Sequence, residues 1–98
     1  MAWFCYRLIA PRPDFPAAMT PAEQAAMGAH GAYWAGQVAA GTAIAVGPVF
    51  APEGAFGIGI LQAETAEAAA AIVAADPVLT AGLGFGHRID PMPSLLHR

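Results

Sequence analysis

Short β-prone stretches and two longer stretches of helical character divide the chain, and the positions of apolar residues within each suggest how they pack. Trp3-Phe4-Cys5-Tyr6-Arg7-Leu8-Ile9 is rich in aromatic and β-branched types and stops at a proline cluster, so it reads as a strand. Residues 10–19 contain Pro11, Pro13 and Pro16 and read as a loop. Thr20-Pro21-Ala22-Glu23 then has the form of a helix start: a capping hydroxyl, proline in the first turn and a carboxylate three residues on. The spacing predicts a helix from Pro21 to Ala40. Gly28, Gly31 and Gly36 each weaken it by about 1 kcal/mol relative to alanine. Packing must therefore hold it, and residues this small would let it lie close to a sheet.

Gly41 is a suitable stop, after which Ala43-Ile44-Ala45-Val46-Gly47-Pro48-Val49 alternates as a second strand. Pro48 cannot donate to a ladder, which puts this strand at an edge or makes its end irregular. A turn at residues 51–54 leads into a third strand over 55–62, with Phe56, Ile58 and Ile60 on one face and Gly57, Gly59 and Leu61 on the other. Thr65 caps a second helix reaching Ala75, with Glu64 and Glu67 near its positive end. Asp76-Pro77 ends that helix, and Asp76 can cap a short turn through Leu79. A fourth strand is expected from Gly82 to Ile89, with Leu83, Phe85, His87 and Ile89 opposite Gly82, Gly84, Gly86 and Arg88. Asp90-Pro91-Met92-Pro93 would then leave the sheet.

The order βαββαβ is an α+β, ferredoxin-like plan: one domain over residues 1–98, with an antiparallel sheet and two helices on one of its faces. In any register the other face carries bulky side chains on at least one strand. A second copy packed there would bury them, so a homodimer is expected. Composition points the same way. Charged residues are 11% of the chain against about 25% in typical soluble domains. There is no lysine, and Arg7, Arg12, Arg88 and Arg98 are scattered in a chain of net charge -3, so no basic stripe exists for nucleic acid. The lone Cys5 has no disulfide partner and sits among aromatic neighbours, which suits a reducing compartment and an inert thiol. Arg7 and the prolines interrupt the first apolar run before a signal pattern forms, and no run is long enough to span a membrane. A cytoplasmic location without membrane contact is expected.

His30 is the leading candidate for chemistry. It lies mid-helix, with Ala26, Tyr33 and Trp34 beside it at the i±4 and i+3 positions. Tyr33 or Tyr6 could offer a hydroxyl to a substrate oxygen, with Trp34 as core or pocket wall. His30, His87 and His97 share no short ligand spacing, so no metal is expected, and the alternation of His87 suggests a core or interface histidine. The glycines at 82, 84 and 86 do not open a helix, so they form no phosphate loop and no cofactor is expected.

The small residues around His30 followed by Tyr33-Trp34, then Gly41, Gly47-Pro48-Val49, Gly54, Phe56-Gly57, the helix 65–75, Asp76-Pro77, Gly82 and Ile89-Asp90-Pro91-Met92, resemble the YCII-related (YciI-like) proteins over nearly the whole chain. The resemblance implies a dimeric α+β barrel and a site built on a histidine and an aspartate, which by position are His30 and Asp76. Relatives that eliminate chloride or move a proton imply general acid-base chemistry, elimination or isomerisation, on a small organic molecule. The alternative is a non-catalytic homodimeric module that binds a small ligand or serves a larger enzyme.

Overall fold

The computed structural model describes residues 1–98. Strand β1 (Ala2–Ile9) is followed by helix α1 (Pro21–Ala40), the hairpin β2 (Ala43–Ala51) and β3 (Gly54–Ala63), helix α2 (Ala66–Ala74), the short helix α3 (Pro77–Thr80) and β4 (Gly86–Met92). The four strands form one antiparallel sheet in the order β2-β3-β1-β4, the arrangement of a ferredoxin-like α+β fold. No helix is long and apolar enough to cross a membrane.

Side chains of β1 alternate between the two faces of the sheet. Phe4, Tyr6 and Leu8 are buried beneath the helices, while Arg7 and Ile9 on the opposite face are exposed. Leu61 and Ala63 of β3 join them, and Ala26, Trp34, Ala69, Val73 and Val78 close the core from above. Burying a side chain of the size of Leu61 or Val73, both at 0% exposure, contributes about 1.5–3 kcal/mol. The Thr20 cap forms as the sequence suggests, with its hydroxyl accepting from the Glu23 amide and the Glu23 carboxylate accepting from the Thr20 amide.

Three local expectations are corrected. The segment 82–85 is a turn, because Gly82 and Gly84 take φ of 68° and 86°, and β4 starts only at Gly86. It also continues through Pro91 to Met92, since an edge strand tolerates a residue that cannot donate. The α1 glycines do not mediate close approach, since a methyl group at Gly28, Gly31 or Gly36 would meet nothing within 4 Å. Close contact occurs instead in β3, where a Cβ on Gly57 would lie 3.2 Å from Leu8. His87 is exposed and Cys5 is half-buried on the open face of the sheet.

Candidate active site

Asp76 is the residue around which the site is built. It stands between α2 and α3 with an extended backbone, and its Oδ1 accepts the Val78 amide at 3.0 Å, capping α3. This local cap fixes the direction of the carboxylate, which is 0% exposed and turned into the protein. Three distant side chains converge on it. Trp34 Nε1 of α1 donates to Oδ2 at 2.7 Å, Tyr6 Oη of β1 donates to Oδ2 at 3.0 Å, and His30 Nδ1 lies 2.8 Å from Oδ2 and 3.0 Å from Oδ1. Burial pushes the Asp76 carboxyl up, but the bonds from His30, Trp34 and Val78 outweigh it and hold the carboxyl below its ordinary value. Burial, together with the same carboxylate, pushes the Tyr6 hydroxyl well above the usual phenol range. Asp76 is therefore ionised at neutral pH and Tyr6 is not.

With Nδ1 committed to a carboxylate, His30 carries its proton on that nitrogen when the ring is neutral, which leaves Nε2 as a lone-pair acceptor. The ring also lines a cavity of about 530 Å³ between α1 and the β2–β3 half of the sheet. That volume lies within the range of small-molecule sites. Tyr6, Leu8, Met27, Trp34, Val46 and Phe85 are among its walls, and exposed Val38 and Phe50 stand at its rim.

The loop over residues 10–19 covers one end of the cavity, to which it contributes Phe15, Pro16 and Met19. Phe15 is buried and meets Phe85 edge-on, with ring centroids 5.0 Å apart. Arg12 ties the loop to α1 through bonds of 2.8 and 2.7 Å to the two Glu23 oxygens, and braces the loop itself with one of 2.6 Å to the Ala18 carbonyl. The Arg12 bonds, with the Thr20 amide, draw the Glu23 carboxyl down to about 2.

Of the residues singled out from the sequence, His30, Asp76, Tyr6 and Trp34 come together in one hydrogen-bonded group. Tyr33 does not join them. Its hydroxyl donates to the Ile72 carbonyl at 2.6 Å, tying α1 to α2, and its ring packs edge-on against Trp34. The loop residues Arg12 and Phe15 and the wall residue Phe85 were not legible as site components. The one available hint was an aromatic residue, Phe15, placed among prolines in a segment otherwise suited to solvent. No group of three or more His, Cys, Asp or Glu side chains converges anywhere to hold a metal ion.

These features define an α+β domain with a buried carboxylate orienting an imidazole at the wall of an apolar cavity. The chain belongs to the YCII-related domain family, whose model matches residues 3–93. No curated protein matches it significantly.

Proposed function

We propose that the protein is a small-molecule enzyme in which His30 is a general base and acid, and Asp76 orients it and stabilises its charged form. The observation that carries this reading is the 2.8 Å contact between His30 Nδ1 and Asp76 in a residue that lines the cavity, with no bond inside the protein to Nε2. In a proton-transfer step Nε2 takes a proton from a substrate C–H, and the imidazolium so formed pairs with the Asp76 carboxylate. Return of that proton to another substrate atom completes an isomerisation. Expulsion of a leaving group by the electron pair left on the substrate completes an elimination, and the ring then releases its proton to water. Trp34 and Tyr6 hold the carboxylate in place and act through it.

The chemistry is tested by following loss of α-proton signals from ring ketones such as 2-tetralone in D2O. Exchange faster than the buffer rate in the wild type and absent in His30→Ala is expected; equal rates in the two proteins would refute the role of His30. The proposal places the enzyme in the cytoplasm as a homodimer, assembled through the open sheet face where Trp3, Ile9, Phe56, Ile58 and Ile60 stand opposite the helices. Sedimentation of Ile58→Glu should show monomer where the wild type shows dimer.

A further inference from the structure

The cavity pairs one proton acceptor with walls that offer no positive charge. The chain contains four arginines and no lysine, and none of the arginines lines the cavity. Arg7 lies over the Phe56 ring at 4.3 Å, Arg12 is held by Glu23, Arg88 is paired with Asp90 at 2.9 Å, and Arg98 is the last residue of the tail. The fixed charge nearest His30 is the negative one on Asp76. A carboxylate or phosphate brought into the cavity would leave water for apolar walls and meet that like charge, with only a protonated His30 to offset it. Nε2 of the neutral ring is an acceptor, so the ligand atom facing it must be a donor. The remaining walls favour flat apolar surface: Phe15, Phe85, Trp34 and Tyr6 present aromatic rings, and Met27 and Leu8 fill between them.

From this we infer the substrate class: an uncharged, largely apolar ring compound that carries one weakly acidic X–H group directed at His30 Nε2, and no carboxylate or phosphate. The inference rests on the reading of His30 as a proton acceptor given above. It goes further in naming the ligand's charge, its surface and the sense of its one polar contact. Donation of the X–H proton to Nε2 leaves the charge on the ligand next to an imidazolium already paired with Asp76, so the total charge in the cavity does not change during the transfer.

Three probes of one frame test it: 2-naphthol, which donates; 2-methoxynaphthalene, which cannot; and 2-naphthoate, which is anionic. Their affinities for the wild-type protein are measured by calorimetry at pH 7.5. Binding of 2-naphthol at least tenfold tighter than that of either companion is expected. In His30→Ala, with folding verified by its melting curve, 2-naphthol should fall to the level of 2-methoxynaphthalene while both still bind. Affinity for 2-naphthoate equal to or above that for 2-naphthol would overturn the inference, as would equal affinity for the naphthol and its methyl ether, or no binding of any probe. The 2-tetralone exchange reads the proton-transfer chemistry separately. His30-dependent exchange accompanied by a preference for 2-naphthoate would remove the substrate class and leave the acid-base reading standing. A 2-naphthol preference without such exchange would do the reverse.

Discussion

Replacing Asp76 by asparagine keeps the shape of the side chain and removes one of its two acceptor oxygens, so the hydrogen-bond geometry alone fixes much of the outcome. If the amide oxygen takes the Oδ2 position it still accepts from Trp34 and Tyr6, but the amide NH2 then opposes the Val78 amide, which donates to Oδ1 at 3.0 Å. If the amide is turned over, the NH2 opposes Trp34 Nε1–H instead. Either way one donor is left unsatisfied in a region at 0% exposure, which costs about 1–3 kcal/mol. The bonds that survive lose a charged acceptor, at about 1 kcal/mol each, while the neutral amide no longer bears the desolvation of a carboxylate. The net expectation is a loss of about 2–4 kcal/mol at neutral pH, which lowers Tm by roughly 10–25 °C for a domain of this size. The effect also has a defined pH dependence. Because the Asp76 carboxyl titrates lower in the folded protein than in the unfolded chain, its contribution is complete above the ordinary carboxylate range and is lost as pH falls through the folded value. The gap between wild type and Asp76→Asn should therefore be constant near neutrality and close in acid. In the turned-over orientation the amide NH2 also takes the position nearest His30 Nδ1, 2.8 Å away, so there the His30 proton should move to Nε2 and the cavity would lose its acceptor; with the amide oxygen in that position the proton stays on Nδ1. Urea and thermal unfolding across pH give the first result, and 15N-detected imidazole NMR gives the second. An asparagine variant that melts within a few degrees of the wild type would refute the reasoning.

Gly28→Ala should stabilise the protein by about 1 kcal/mol, because the site is exposed, mid-helix and empty within 4 Å of the new methyl group; a Tm that does not rise would count against the reading of α1 as a helix held by packing. Glu23→Gln should loosen the Arg12 tie, so that the Phe15, Ala17 and Ala18 amides exchange with solvent faster than in the wild type. In the wild type that tie is fully present above the ordinary glutamate range and is lost only as pH falls through about 2, so hydrogen exchange at pH 4 should still find the loop protected.

Much of the fold was already legible along the chain because its signals are local. The Thr20-Glu23 box, the Thr65 cap, the Gly41 stop and the alternation in β3 each lie within a few residues and fix backbone geometry without help from distant groups. The fourth strand was misread for the same reason. Gly82 and Gly84 alternate with Leu83 and Phe85 as strand residues would, and nothing local shows that their φ angles are positive. The resemblance to a known family brought His30 and Asp76 forward together, and Tyr6 and Trp34 were named near them, but the bonds that bring both onto the Asp76 carboxylate lay beyond reach.

What the sequence by itself determined was the order of elements, the caps that begin the helices, the scarcity of charge, and the presence of one imidazole in apolar company. Tertiary structure alone decided that Tyr6, Trp34 and His30 meet on one carboxylate, across separations of 70, 42 and 46 residues. It alone decided too that the Pro-rich loop supplies part of the cavity wall, and that Gly31 opens room where close packing was expected. The reason is physical: a cap is satisfied within one turn of chain, whereas the state of a buried carboxylate depends on every donor the whole fold brings to it.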